Sequence, residues 1–519
     1  MSDMMSAGAL LRSLLPELFL SCGAMILLLA SVWSPQKDLA GSAEGAERTQ
    51  TLARFGAVIC ILVALVVVIA WGDGGGSSPD GRIAGDGFRW GMDLVILLGT
   101  VLSLLLLEAE HERSAAFGPE VPALMLLAAT GMMILAAARD LMLVFIGLEL
   151  MSFAVYVLAG VNRRSSRSAE SAVKYFLLGA VSSAFLLYGM TFIYGATGST
   201  VFSEVGAWMS ERGMLTPLFL TGVGIMLVGL AFKVAAAPFH LWTPDVYDGA
   251  PLPITAFMSA TVKTAGFAMF VRVMLDMLGG AMPRWHMAVW WLAAFTMVAG
   301  NVLALSQRNL VRILAYSSIA HAGYLLVAVV AGGAAGTSAI VFYLVSYTLA
   351  TMGAFGVLIT INAGRDHSPT LDDIAGLWLV RPWLAMAMSV FLLAFLGIPV
   401  LGGMGFFAKW YVLQAALQAP VPQTILVVVL VLMSAVSSAY YLSIVSAMFM
   451  RPRPEAQPVP STTPANRTLI VAAAMALLVL GLYPSPAMRA ARLALTSVDQ
   501  QPVTPSEGGA RIQTASTQP

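Results

Sequence analysis

The chain has 519 residues, of which 59% are hydrophobic and only 11% are charged, whereas soluble proteins carry about 25% charged residues. This composition excludes an ordinary soluble domain and predicts a membrane protein. The formal net charge of +1 offers no basic surface for nucleic acid. Cys22 and Cys60 lack CxxC spacing, so we expect no thiolate-bound metal or iron–sulfur cluster in this chain.

Fourteen hydrophobic segments follow one another along the chain, and a bilayer core of ~30 Å needs ~20 apolar residues per helix. The polar connections are too short for a soluble domain. We therefore predict an all-α polytopic membrane protein with about 14 transmembrane helices, surrounded by the lipid bilayer. The segments are centred near Met25, Leu62, Leu98, Leu127, Ile146, Ser182, Ile225, Thr261, Phe295, Gly323, Thr348, Phe395, Leu432 and Met475.

Segments seven and twelve contain helix-breaking residues. Pro238 follows Lys233 in segment seven, and Pro399 with nearby glycines precedes Lys409 in segment twelve. Because proline cannot donate a backbone hydrogen bond, we expect both helices to be broken, with freed backbone groups lining a polar cavity. The breaks lie five segments apart, which predicts two five-helix repeats. Five is odd, so the second repeat is inverted.

The predicted organisation has five parts. Helices 1–3 occupy residues 1–118, the first repeat with helices 4–8 occupies 119–280, and the second repeat with helices 9–13 occupies 281–450. Helix 14 follows in 451–490. The segment 491–519 has the polar, proline- and glycine-containing composition of a disordered tail.

The positions of Lys and Arg in the connections predict the orientation. Fourteen of these residues follow odd-numbered segments and six follow even-numbered ones. Because cytoplasmic connections carry an excess of Lys and Arg, we expect the odd-numbered connections in the cytoplasm. With an even number of helices, both termini then face the external side.

Lysine is placed differently from arginine in this chain. Lys174, Lys233, Lys263 and Lys409 all fall within or close to hydrophobic segments, and only Lys37 lies in a connection. A lysine at the centre of a bilayer helix opposes insertion by roughly 2.5 to 3.5 kcal/mol. Burial eases release of the proton from an amine, whereas arginine stays charged. The choice of lysine therefore favours proton handling over a static role.

Glu149 is the acidic counterpart of these lysines. It lies in the apolar run 144–153 and needs a cationic partner, which a lysine on a neighbouring helix would supply. A change in the distance between two such groups alters the proton affinity of both. The pair is thus a candidate switch.

Four motifs resemble one known family. The run 232–253 followed by Lys263 is similar to the signature of the antiporter-like subunits of respiratory complex I and of multisubunit sodium/proton antiporters. The segments 147–150, 172–175 and 316–324 are similar to other motifs of that family. The resemblance covers roughly residues 120 to 450.

The resemblance implies a role for each candidate residue. Glu149 and Lys233 would form the coupled pair, with Lys174 modulating it. Lys263 and His240 would relay protons toward the centre. His321 would be a further relay residue. Lys409 would be the exit or the link to the next half.

The resemblance also implies the partners and the energy source. The chain contains no nucleotide-binding fingerprint, so energy must come from elsewhere. Flavin, iron–sulfur clusters and quinone are expected in partner subunits, with no cofactor in this chain. The chain would lie in a bacterial inner membrane beside other membrane subunits, including a neighbouring antiporter-like one. It would act as an enzyme only within that NADH:quinone oxidoreductase assembly.

Other interpretations stay open. The chain could be a stand-alone or multisubunit cation/proton antiporter subunit, or a scaffold that anchors redox subunits. Lys174 could extend to the membrane interface, and Glu149 could only help two helices to pack. His240 could cap or line an interface, and His321 could be a packing histidine.

Overall fold

The computed structural model describes residues 11–33, 43–71, 77–78, 80–111, 117–212, 215–362, 367–454 and 459–496. Within these ranges the chain is almost entirely helical, and extended pairing is limited to three isolated β-bridges. The predicted all-α architecture is confirmed. The N-terminal helices are α1 (Leu15–Trp33), α2 (Ala43–Trp71) and α3 (Gly87–His111).

The middle of the chain holds the helices assigned to the two repeats. The first set is α4 (Glu120–Ala137), α5 (Leu141–Ala159), α6 (Ser166–Thr197), α7 (Phe202–Arg212), α8 (Pro217–Lys233), α9 (Trp242–Gly249) and α10 (Leu252–Met277). The second set is α11 (Met282–Leu305), α12 (Leu310–Ala331), α13 (Gly333–Ile361), α14 (Leu377–Val380), α15 (Pro382–Leu396), α16 (Met404–Gln418) and α17 (Thr424–Met450).

Two helices complete the described chain, α18 (Pro464–Leu482) and α19 (Ser485–Thr496). Helix α19 extends beyond residue 491, where the sequence predicts the tail to begin. Residues 497–519 lie outside the described residues. Helix α2 begins at Ala43, so it includes part of the polar connection that follows the first hydrophobic segment.

Eleven of the described helices are long and apolar enough to cross a membrane. Three shorter apolar helices accompany them, at Leu15–Ser31, Pro217–Lys233 and Pro382–Leu396. Every predicted segment centre lies in one of these helices. The chain is therefore a multi-pass membrane protein. The predicted total of 14 crossings requires that the three shorter helices also cross the membrane, and this stays a prediction.

Both predicted helix breaks are present. Helix α8 ends at Lys233 and α9 begins only at Trp242, with a cis Ala237–Pro238 bond between them. Helix α15 ends at Leu396, and α16 begins after a connection in which Gly397 has a φ of 75°. A positive φ favours glycine because it has no side chain.

Matching contacts in the two halves support the internal repeat. Asp140 caps the start of α5 with its side chain and forms a β-bridge with Val201. Asn309 caps the start of α12 in the same way and forms a β-bridge with Thr370. The same number of residues separates Asp140 from Asn309 and Val201 from Thr370, so one local structure occurs twice along the chain.

Close helix packing recurs at the same spacing. A side chain at Gly131 of α4 would collide with the backbone of Met151 in α5. A side chain at Gly300 of α11 would collide with the backbone of Ala320 in α12. Glycine lets two backbones approach closely, and here it joins the first two helices of each repeat.

Candidate functional site

Lys233 is the last residue of α8, at the first helix break. Its Nζ donates a hydrogen bond of 2.8 Å to the hydroxyl of Ser152 on α5. The amine also lies 6.0 Å from the ring centroid of Tyr156 and 5.8 Å from that of Tyr175. Aromatic faces attract a cation at this range, so the site can hold Lys233 in its charged form.

Glu149 lies three residues before Ser152 on the same helix, hence on the same face. It is close enough to Lys233 for an electrostatic interaction. Within the described chain, however, its Oε1 is buried without a hydrogen-bond partner, and no ion pair joins it to Lys233. The two members of the predicted pair are therefore neighbours, but the amine of Lys233 donates to Ser152 instead of forming an ion pair with Glu149.

Lys263 lies in α10 directly after a π-helical turn, Met258–Val262. Such turns occur frequently at functional sites. The Nζ of Lys263 donates to both the backbone carbonyl and the hydroxyl of Ser318 on α12. The Ser318 hydroxyl lies 3.5 Å from that of Ser259, which lies 3.1 Å from the Tyr347 hydroxyl. A short series of hydroxyl groups thus begins at this amine.

Lys409 lies in α16, just beyond the second helix break. Its Nζ donates hydrogen bonds of 3.0 Å to the Leu396 carbonyl and 3.0 Å to the Ser434 hydroxyl. Leu396 ends α15, and a helix C-terminus favours a nearby cation. A side chain at Gly397 would lie 2.9 Å from Cδ of Lys409. The glycine therefore leaves room for the lysine beside the helix end.

His321 is close enough to both Lys263 and Lys409 for electrostatic interaction. Its Nδ1 is 2.5 Å from the Tyr343 hydroxyl, and its Nε2 is 3.2 Å from the Tyr441 hydroxyl. A small cavity beside the ring has room for about one water molecule. The imidazole is placed to pass a proton between two phenol groups.

The remaining predicted site residues lie elsewhere. Lys174 is 43% exposed and forms ion pairs of 2.7 Å with Glu170 and 3.3 Å with Asp245. Lys233, Lys263 and Lys409 are only 7%, 4% and 6% exposed. His240 is buried in the connection after α8, and neither ring nitrogen meets a hydrogen-bond partner among the residues that the structure describes. The structure brings neither Lys174 nor His240 into hydrogen-bond contact with the buried amines.

Asp245 anchors Lys174 at the edge of the bundle. The carboxylate also forms an ion pair of 2.8 Å with Arg312. Partial burial would raise the pKa of Asp245, but hydrogen bonds from Arg312 and Lys174 outweigh this and hold it below its usual value. Lys174 therefore has an ordinary surface partner rather than a buried one.

The two repeats use equivalent helix positions to bind amines. Glu149 and Ser152 on α5 are separated from Ser318 and His321 on α12 by the same spacing that relates the repeated contacts. In the first repeat the pair lies beside Lys233. In the second repeat it lies beside Lys263 and Lys409.

Two buried arginines were not predicted from the sequence, which placed arginine only at segment ends and in connections. Arg89 in α3 is fully buried, and Arg272 near the end of α10 is 2% exposed. Arg272 forms ion pairs of 2.6 Å with Asp86 and 3.1 Å with Asp276. Burial would raise the pKa of Asp86, but Arg272 and Arg139 hold it at about 2. This cluster joins α3, α4 and α10.

We expect Arg272→Ala to destabilise the protein strongly, since it removes the closest ion-pair partner of buried Asp86 and one of the two partners of Asp276. Breaking a buried ion pair typically costs about 3–5 kcal/mol. Arg451→Ala is the control, because Arg451 and its partner Asp372 are both exposed and an exposed pair contributes about 0–1 kcal/mol. Thermal unfolding of the purified assembly measures both changes. Equal unfolding temperatures for the two variants would contradict a stabilising role for the cluster.

Buried amines beside two broken helices, linked to hydroxyl, phenol and imidazole groups, define an ion-translocating membrane subunit of the antiporter-like class. Residues 138–434 match the family model described as NADH:quinone oxidoreductase/Mrp antiporter, TM. The chain belongs to this family.

Its relatives include subunit N of NADH-quinone oxidoreductase. The protein of that name from Gemmatimonas aurantiaca is 74% identical over 99% of both chains. The one from Trichlorobacter lovleyi is 41% identical over 93% of this chain and 97% of its own length. These similarities confirm the family that the motifs indicate.

Two solved structures have the same fold. A chain of respiratory complex I from Thermus thermophilus is 36% identical, with a TM-score of 0.76, and the match covers 91% of this chain and 98% of that one. A chain of the Mrp complex from Dietzia sp. DQ12-45-1b has a TM-score of 0.78 at 22% identity, covering 94% and 98%. The second similarity shows the fold alone.

Proposed function

We propose that this chain is a proton-translocating membrane subunit of an NADH-quinone oxidoreductase. The observation that carries the proposal is the set of three buried lysines, Lys233, Lys263 and Lys409. Each is bound to neutral oxygen atoms rather than to a carboxylate. A neutral acceptor can bind either a charged or a neutral amine, whereas a tight carboxylate pair favours the charged form.

The first step of the proposed mechanism is a change in the pairing of Lys233. While its amine donates to Ser152, Oε1 of Glu149 is buried without a hydrogen-bond partner among the described residues. A small movement of the Lys233 side chain toward Glu149 would form an ion pair and hold the proton on the amine. A return to Ser152 would release this constraint and let the proton leave.

The second step passes the proton through the centre of the chain. Lys263 donates a hydrogen bond to Ser318, and His321 interacts electrostatically with both Lys263 and Lys409. The Tyr343 hydroxyl binds Nδ1 of the imidazole, and the Tyr441 hydroxyl binds Nε2. Water-filled gaps or side-chain movements complete the path between these groups. Lys409, at the second helix break, is the exit or the link to a neighbouring antiporter-like subunit.

The energy for this movement comes from partner subunits. Moving one charge against a membrane potential costs about 2.3 kcal/mol per 100 mV. Flavin, iron–sulfur clusters and quinone would be held by the other subunits. In the proposed orientation of this chain, the odd-numbered connections with their arginines face the cytoplasm and both termini face the external side. His240 would assist Lys263, and Lys174 would tune the first pair from the bundle edge.

Glu149→Gln tests the proposed pairing. We expect proton translocation by the assembled complex to fall at least about tenfold, since a proton-transfer group typically contributes 10²- to 10⁴-fold. Glu170→Gln is the control, because it removes an exposed carboxylate that forms an ion pair with exposed Lys174. Proton uptake into vesicles driven by NADH measures both variants. Equal translocation by the two variants, at normal assembly, would contradict the role of Glu149.

A further inference from the structure

A second buried group of charges lies outside the amine sites, between α1 and α3. It consists of Glu17, Arg89 and Asp93, whose side chains are at most 4% exposed. Nη2 of Arg89 donates a hydrogen bond of 2.7 Å to Oε1 of Glu17. Nε of Arg89 lies 3.5 Å from Oδ2 of Asp93, a contact too long for a good hydrogen bond. Both helices belong to the N-terminal part, outside the two repeats.

One guanidinium serves two carboxylates in this group. Its Nη1 donates to the Ala84 carbonyl at 2.9 Å, and Nη2 donates to the Ser13 carbonyl as well as to Glu17. In the part of the chain described, neither oxygen of Asp93 has a hydrogen-bond partner, and Oε2 of Glu17 has none. Asp93 is thus the less well bound of the two acids.

Neighbouring charges do not compensate the second carboxylate. Arg89, Glu17 and Arg272 are charged residues that act electrostatically on Asp93. Arg272 is already paired with Asp86 and Asp276, and both of these acids also bind Arg139. That cluster has two cations and two anions and is neutral. The group of Glu17, Arg89 and Asp93 would carry one negative charge if both acids were ionised.

An uncompensated buried charge is very costly, and a buried acid avoids the cost by keeping its proton. We propose that Glu17 and Asp93 form a proton-binding site in which the two acids hold one proton. Asp93 carries it as a neutral carboxylic acid, while ionised Glu17 pairs with Arg89. Binding and release exchange only this proton with water or a neighbouring group.

The site gives the N-terminal helices a chemical role. The Glu17–Arg89 pair connects α1 with α3, and Asp93 lies one turn after Arg89 on α3, next to the cluster that joins α3, α4 and α10. The site is independent of whether the chain translocates protons.

Infrared difference spectroscopy of the purified assembled complex tests the inference. At neutral pH the wild type should have a carboxylic-acid carbonyl band that the Asp93→Asn variant lacks, and this band should appear in the wild-type-minus-variant difference spectrum. The band should shift to lower frequency in D₂O. Glu120→Gln is the control, because Glu120 is partly exposed at the start of α4, and its loss should remove carboxylate bands only.

Glu17→Gln separates a shared proton from a merely buried acid. Without Glu17, Asp93 is the carboxylate left to pair with Arg89 among the described residues, so it should ionise and the same carboxylic-acid band should disappear. This variant also tests the inference if Asp93→Asn fails to assemble. Persistence of the band in Glu17→Gln would overturn the inference, as would loss of carboxylate bands alone in Asp93→Asn.

Discussion

Lys233→Ala should lower proton translocation by the assembled complex at least about tenfold. A loss of ~10²-fold is expected of an obligatory proton carrier. The substitution removes the amine at the first helix break and leaves Ser152 without its donor. The measurement is NADH-driven proton uptake into vesicles, with subunit composition determined on the same preparation.

Lys233→Arg is the informative companion variant. Arginine keeps the positive charge but cannot release a proton in a protein, so we expect translocation to fall as in Lys233→Ala. Lys174→Arg, at the exposed edge of the bundle, should change translocation less than about twofold, since exposed ion pairs contribute little. Full translocation by Lys233→Arg would mean that charge suffices and that Lys233 does not transfer protons.

Lys409→Ala should have an effect of similar size. The substitution removes the amine that binds the C-terminal carbonyl of α15 at Leu396 and the hydroxyl of Ser434. Ser434→Ala is the matched control, because it removes one of these two acceptors and keeps the amine. A hydrogen bond contributes about 0.5–1.5 kcal/mol, so Ser434→Ala should retain most of the activity.

The same vesicle assay distinguishes the outcomes for Lys409. A loss in Lys409→Ala together with near-normal translocation in Ser434→Ala would support a role for the amine itself. Equal losses in both variants would indicate that the local packing around the helix break, rather than proton transfer by Lys409, limits translocation.

The sequence predicted the helix breaks and the buried lysines because each has a strong local signal. Proline and glycine interrupt helices wherever they occur in mid-segment, and a lysine inside an apolar segment is costly enough to be noticed. Lys233 and Lys409 therefore stand out from neighbouring residues alone. For Lys174, its place near the start of a segment left an interfacial position open beside the modulating role that the resemblance implies.

The partners of the lysines could not be predicted, because they depend on packing between distant parts of the chain. Ser152, Ser318 and Ser434 are small polar residues of a kind that is common in membrane helices. Their contacts with the amines arise only once α5, α12 and α17 are placed. The spacing that relates Glu149 and Ser152 to Ser318 and His321 is visible in the sequence, but only once the repeat offset is known.

Arginine burial was missed for a related reason. Arg89 and Arg272 lie near the ends of apolar segments, where the sequence alone indicates an interfacial position. Asp86 and Glu17 come from elsewhere in the chain and enclose these guanidinium groups. A buried ion pair is recognisable from sequence only when its members are close along the chain, as Arg89 and Asp93 are.

The central claim is that buried lysine amines change their protonation during turnover. Solid-state NMR of the assembled complex with ¹⁵N-labelled lysine reports this directly, because the nitrogen shift distinguishes an ammonium group from a neutral amine. Signals are assigned with Lys233→Ala, Lys263→Ala and Lys409→Ala variants. We predict that at least one of these three signals changes between the resting and the NADH-reduced complex. Three signals that stay those of ammonium groups in both states would contradict the account.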